Sequence, residues 1–304
     1  MKNKIKICII LLLLIILVNS IYYILHNFSK KFSKNFSKNT STKSNIIFSL
    51  TSLPSRLEHL VRNLRLIRQF IPDAIIHLNL PKVVHRLNEK WDINSLPDNI
   101  RNDDNIKIFL VDDIGPITKF LPTFRRVKDI NSVIITIDDD IDYSGKFFKN
   151  FVDAIKNEGK EYVYIPTFYT HYEKNKKILV MFNNPKHEEE FKKKYVKNNI
   201  IQFNDKYMSM VTGYTGVAYP RKIFTDNMLD KIEKLSKYDN CKTSDDLVIS
   251  YVLYKNKINL KKIDIGNYFK QNNIQFSNND KKGLNKQNHN FVYSKCFKKM
   301  INNY

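Results

Sequence analysis

Three kinds of apolar pattern run along the chain. Ile7 to Val18 is an unbroken apolar run. Past Asn19 and Ser20 it is extended by Ile21 to Leu25, reaching the ~20 residues that a helix needs to cross a bilayer core. Short apolar runs then recur at Asn45 to Leu50, Ala74 to Leu80, Ile106 to Val111, Ser132 to Ile137 and Glu161 to Ile165, and each reads as a strand. Helical spacing fills the gaps: Leu57, Leu60, Val61, Leu64 and Ile67 within 55–70, then shorter segments at 117–127 and 145–157. Alternating strands and helices predict an α/β fold, a mostly parallel sheet flanked by helices on both faces. Runs such as Val133-Ile134-Ile135, apolar without alternation, suit a sheet buried on both sides.

The second half is less regular. Residues 166–182 read as a hairpin rich in Tyr and Phe, and 185–197 as a charged, exposed helix. Val211 to Val217 reads as a glycine-bearing loop, followed by helices at 221–237 and 243–256. The last forty residues are polar and carry no usable period. No linker separates independent domains. The expected organisation is a tip and transmembrane helix over 1–25, a polar stem over 26–44, and one folded domain over 45–304 with halves at 45–165 and 166–304.

Charge refines this picture. The formal net charge is +21, of which residues 1–43 contribute +8 from eight lysines and no acid, leaving 21 − 8 = +13. Lys2, Lys4 and Lys6 before the apolar run favour a cytoplasmic amino terminus. That predicts a single-pass membrane protein of type II, with the domain lumenal or extracytoplasmic. A cleaved signal peptide is the alternative, but no small-x-small site follows the run. In the stem, Phe28, Phe32 and Phe36 recur every four residues, as on a helix along a lipid surface or in a plain spacer. A basic surface suits nucleic acid, anionic lipid or phosphorylated substrates, yet no zinc-finger, basic-zipper or RNP-like motif is present, so no nucleic-acid partner is expected. Cys8 lies in the apolar run; Cys241 and Cys296 are left to form a disulfide or remain two buried thiols.

The candidate chemistry starts where the fourth strand ends. Asp138-Asp139-Asp140-Ile141-Asp142 puts four carboxylates in five positions. Their repulsion calls for a cation, and Mg²⁺ or Mn²⁺ bound by one or two carboxylates leaves room for diphosphate oxygens. An EF-hand is excluded, because Tyr143 and Lys149 stand where its Gly and Glu would be. In a parallel sheet, ligands gather at the carboxyl ends of strands, where Thr51, Asp112-Asp113 and Asp138 to Asp142 converge. A second constellation is Thr243-Ser244-Asp245-Asp246, read either as a helix cap with acids on the dipole or as a general base. Lys119, in Gly115-Pro116-Ile117-Thr118-Lys119, is placed to neutralise a diphosphate, and His289 is a candidate third metal ligand.

In order, Ser49-Leu50-Thr51-Ser52-x-Pro54-x-Arg56, Gly115-Pro116-x-Thr118-Lys119, Asp138-Asp139-Asp140, Gly213-x-x-Gly216-Val217 and Ser244-Asp245-Asp246 resemble the GT-A nucleotide-sugar glycosyltransferases, notably family-2-like and exostosin-like members. The resemblance spans residues 45–256. It implies a GT-A (Rossmann-like) fold and a metal-dependent transfer of sugar from a nucleotide-sugar, a UDP-sugar in first place, to a glycan or glycoprotein hydroxyl. It implies a nucleotide-sugar site at Thr51, Arg56, Lys119, Asp138 and Asp139 in the first half, and an acceptor site at Gly213 and Gly216 in the second. Asp140, with Asp138 and His289, would hold Mn²⁺ or Mg²⁺. Asp246 would be the base, or Asp245, because Ser-Asp-Asp replaces the more frequent Glu-Asp. The alternatives are a metal-dependent phosphohydrolase at the aspartate cluster and a non-catalytic, membrane-tethered glycan-binding module.

Overall fold

The chain enters its folded part through β1 (Ile46–Leu50), α1 (Leu57–Phe70), β2 (Ile75–Pro81), β3 (Ile106–Val111), α2 (Leu121–Arg126), β4 (Val133–Thr136), α3 (Gly145–Lys156) and β5 (Val163–Ile165). There follow β6 (Tyr169–Lys174), β7 (Lys177–Val180), α4 (Pro185–Tyr195), β8 (Val196–Lys197), β9 (Ile200–Ile201) and β10 (Tyr207–Met210). The chain closes with β11 (Val217–Pro220), α5 (Asp226–Ser236), α6 (Asp245–Lys255), β12 (Leu260–Lys262) and α7 (His289–Asn303). The computed structural model describes residues 45–156, 158–167, 169–174, 177–180, 185–203, 207–266 and 289–304. The expected membrane run and stem lie outside these residues, and no helix among those described is long and apolar enough to cross a membrane.

One sheet of nine strands, ordered β8-β9-β12-β5-β11-β4-β1-β2-β3, takes strands from both halves of the sequence. β3, β2, β1 and β4 are mutually parallel, and β12 is parallel to β5. β11 runs antiparallel to both β4 and β5, and β9 antiparallel to both β12 and β8. Seven of the nine strands, all but β11 and β9, therefore point the same way. The expectation of an α/β fold with a mostly parallel sheet holds.

Burial explains why these strands read as solid apolar runs. Successive residues point to opposite faces. Ile47 and Ile134 face one core with Phe120, Phe124, Leu229 and Val248. Their neighbours Phe48 and Ile135 face the other core, with Leu60, Leu64, Phe148 and Phe151 from α1 and α3. Both faces are covered, as parallel sheets require.

Several boundaries differ from expectation. The segment 117–127 is a tight turn at Gly115–Lys119 followed by a helix of six residues, because Pro122 restarts the helix. The helix expected at 221–237 is a turn at Arg221–Ile223 and then α5, capped by Thr225 Oγ1, which accepts from Met228 N. β11, four residues ending in proline, was hidden behind the glycine loop. The polar tail contains α7, and Cys241 and Cys296 are joined as a disulfide, with Cα atoms 4.9 Å apart.

Candidate active site

The order of the sheet reverses at β1: β2 and β3 lie to one side, and β4 to the other. Ser49 is in register with Thr136, so the residues leaving β1 and β4 emerge side by side. Open parallel sheets bind ligands at this kind of crevice.

Asp139 ties the two exits together. Its Oδ2 accepts from Ser52 Oγ at 2.6 Å, and its Oδ1 from Arg56 Nη1 at 2.9 Å. Its carbonyl accepts from Asn63 Nδ2 at 3.3 Å. Asp139 is buried, whereas its neighbours Asp138 and Asp140 keep partly exposed side chains. Asp140 is the most open of the three, its side chain 30% exposed, with Oδ2 3.1 Å from Arg56 Nη1. Burial, then Asp139 and Asp138, hold its carboxyl well above the usual carboxylate range. Asp142 leaves the group, pairing with Arg62 at 2.7 Å on α1.

On the far side of Asp138 stands Lys119, whose Nζ donates to Asp138 Oδ1 and lies 2.9 Å from Asp245 Oδ2. Burial opposes its charge, but Asp138, Asp245 and Asp246 outweigh that and hold its pKa well above the ordinary lysine value. Asp246 Oδ2 accepts from Gly213 N at 2.8 Å. Burial first, then Asp245, raise its proton affinity, with Lys119 opposing. A Cβ on Gly213 would stand 2.8 Å from Asp246 Oδ1 and 2.9 Å from Lys119 Nζ, so the lack of a side chain there is what admits both groups.

The turn carrying Lys119 is set by its own chain. Asp113 Oδ1 accepts from Gly115 N at 2.9 Å, which makes Asp113 a turn residue. Gly115 has φ +76°, and a Cβ there would fall 2.3 Å from the carbonyl oxygen of Lys242, so this turn packs directly on the approach to Asp245 and Asp246.

Arg56, Asp138, Asp139, Asp140, Lys119, Gly213, Asp245 and Asp246 thus form one continuous constellation. Thr51 lies beside it with its Oγ1 buried and without a hydrogen-bond partner among the described residues. Gly216, with φ +75°, faces the rings of Phe147 and Phe151 at 3.1 and 3.2 Å from where a Cβ would be, which accounts for a glycine there by packing. His289 opens α7, and its side chain lies outside the described ones. Ser244 stands at the cap position of α6, but its Oγ makes no cap bond, so the expected capping role is not realised.

Sequence reasoning missed Tyr143. Its hydroxyl accepts from Asp138 N at 3.2 Å and donates to the Tyr214 carbonyl at 3.0 Å, linking the aspartate run to the glycine loop. It also missed Trp91, whose Nε1 donates to the Ser52 carbonyl at 3.0 Å. The aromatic directly after Asp142 was the available signal for Tyr143; Trp91 offered none.

Among the described residues no group of three His, Cys, Asp or Glu is arranged to cage a metal ion. The carboxylate pair Asp138 and Asp140 offers hard oxygen only, although Lys119 and Arg56 already pair with it. It fits an ion of the Mg²⁺ type, which takes one or two protein carboxylates and completes its shell with substrate phosphates and water.

No protein-family profile matches the chain, and no curated relative does. Among solved structures, it is similar to the 4-diphosphocytidyl-2C-methyl-D-erythritol synthase of Anaerococcus prevotii (14% identity, TM-score 0.42, covering 73% of this chain and 88% of that one). It is also similar to the inositol-1-phosphate CTP transferase of T. maritima (11% identity, TM-score 0.39, covering 74% and 87%). A third is the galactosyltransferase LgtC, solved in complex with donor and acceptor sugar analogs (15% identity, TM-score 0.34, covering 74% and 70%).

Proposed function

We propose that this chain is a glycosyltransferase that moves a sugar from a nucleotide-sugar, a UDP-sugar in first place, to a glycan or glycoprotein hydroxyl. The observation that carries the reading is the meeting of Asp138, from the end of β4, with Asp245 and Asp246, from the start of α6, around one buried ammonium. A donor-type carboxylate and a base-type carboxylate then flank one crevice.

Thr51, with its unpartnered hydroxyl, and Arg56 are placed for the nucleotide. Asp246 keeps some exposure, while Asp245 is buried against Lys119. Asp246 is therefore the proton acceptor. The acceptor oxygen bonds to the anomeric carbon, the bond from that carbon to the phosphate oxygen breaks with its electron pair leaving on the diphosphate, and the hydroxyl proton passes to Asp246. Mn²⁺ or Mg²⁺ at Asp140 and Asp138 would stabilise the charge gathering on the leaving group. The Gly213 loop borders the acceptor side. The Cys241–Cys296 disulfide favours an oxidising compartment, in keeping with a type II anchor at 7–25 and a lumenal or extracytoplasmic domain.

The test uses the full chain in detergent with a panel of nucleotide-sugars, sugar acceptors and Mn²⁺. Transfer with nucleotide release, lost in EDTA and in Asp140→Asn, is expected. Release of inorganic phosphate instead would favour a phosphohydrolase. Sugar binding without turnover would reduce the chain to a tethered binding module.

A further inference from the structure

Lys119 reads from sequence as a residue for the donor diphosphate. Its surroundings assign it elsewhere. The side chain is 6% exposed, and its ammonium is engaged by Asp138 and Asp245, with Asp246 alongside. Its backbone is held by residues of β1, β2 and α2. Ser49 Oγ donates to the Lys119 carbonyl at 2.5 Å and shares a 2.6 Å hydrogen bond with Thr123 Oγ1. Asn79 Nδ2 donates to Thr123 Oγ1 at 2.9 Å and to Ser49 Oγ at 3.2 Å. Ser49, Asn79 and Thr123 are fully buried, and polar groups at such depth are tolerated because they satisfy one another and this carbonyl. The Gly213 backbone closes the space on the remaining side.

We infer that Lys119 is a positioning residue for proton transfer: its ammonium holds Asp245 so that Asp246 stays free, on the Gly213 N–H, to take the acceptor's proton. The kinetic consequence rests on the sugar-transfer reading. Asp246 already has a raised proton affinity through burial and Asp245, and the ammonium opposes both; without it the two adjacent carboxyls would share a proton to still higher pH, as close carboxylates do, and Asp246 would accept the acceptor's proton less readily. Removing the charge of Asp245 together with that of Lys119 would end the sharing and leave Asp246 competent.

The test compares Lys119→Met with the double variant Lys119→Met/Asp245→Asn in the full chain, the second keeping the site's net charge should the first fold poorly. Lys119→Met is expected to lower kcat about 100-fold, within the range for lost proton transfer, with donor KM nearly unchanged. The double variant is expected to recover about 10-fold of that loss, because the two residues act as one pair. A large rise in donor KM, with no recovery in the double variant, would return Lys119 to the diphosphate and overturn the inference. Crystal structures provide a readout that needs no activity. In Lys119→Met a proton shared with Asp245 should draw the Asp246 carboxyl off Gly213 N, and that bond should return in the double variant; Asp245 and Asp246 carboxyl oxygens that stay beyond hydrogen-bond distance in Lys119→Met would overturn the inference even if no sugar donor is ever found.

Discussion

Asp139 Oδ2 and Ser52 Oγ, 87 residues apart in sequence, lie 2.6 Å apart in the buried seam between the ends of β1 and β4. The middle acid of the aspartate run is therefore buried in the protein, and its two neighbours keep some exposure. Asp139→Ala would strip Ser52 and Arg56 of a buried partner, at roughly the 3–5 kcal/mol that breaking a buried ion pair costs. Asp142→Ala removes an exposed pair with Arg62 and should cost under about 1 kcal/mol. Urea unfolding of the two variants measures the contrast; equal losses would mean Asp139 is no structural tie.

Gly213→Ala tests the fit of the loop against the acids. The added methyl would fall inside contact distance of Asp246 and Lys119, and overpacking of this kind costs about 1–3 kcal/mol. On the sugar-transfer reading the atoms displaced belong to the reacting site, so turnover should fall more than stability. A calorimetric melt alongside single-turnover rates separates the two, and a loss of melting temperature at full turnover would exclude the loop from the site.

Asp246→Asn should lower kcat by about 10²–10⁴-fold and leave donor binding nearly intact. Its stability should respond in the opposite sense. Burial and Asp245 raise the proton affinity of Asp246 in the folded state. Its contribution to stability is therefore fully present below the unfolded carboxylate pKa, and is lost as pH rises through the folded value. Asparagine copies the neutral form, so the variant should melt higher than the parent at mildly alkaline pH and no higher at pH 4. Melting curves across pH check this, and turnover in the parent should rise over the same alkaline-shifted range as Asp246 gives up its proton.

Reducing the disulfide opens a loop of sequence separation 55, which chain entropy values at about 4 kcal/mol. Cys296→Ala should lower the melting temperature and make it indifferent to dithiothreitol. A parent protein whose melt is equally indifferent would show that the bridge contributes nothing.

The sequence made the central strands legible because burial on both faces writes them as plain apolar runs, as in Val133 to Ile137. It made Asp138 legible as a residue type, since an acid directly after a buried strand sits where ligands gather, but it left Asp246 open between a helix start and a base and Lys119 one lysine among many. It could not show that Asp139 turns inward or that Asp142 joins Arg62 on α1, because spacing along a turn does not fix where each carboxylate points. β11 escaped for a related reason. Val217 to Pro220 is too short to show a period, and it is a strand because Thr136 to Val133 lie opposite it. Tyr143 matters through a hydrogen bond to the Tyr214 carbonyl, 71 residues on, which no local pattern encodes.

The placement of β1 also bears on how the protein is made. The first of the described strands becomes an inner strand of the sheet, and its partner β4 begins at Val133. At the usual 5–20 residues per second, roughly 4–17 s pass between the appearance of Leu50 and that of Val133. During that interval one edge of β1 waits unpaired, and β4 in turn waits for β11 at Val217. The inner strands of this sheet thus cannot complete their pairing until most of the chain exists, and their apolar edges stay open to other chains until then.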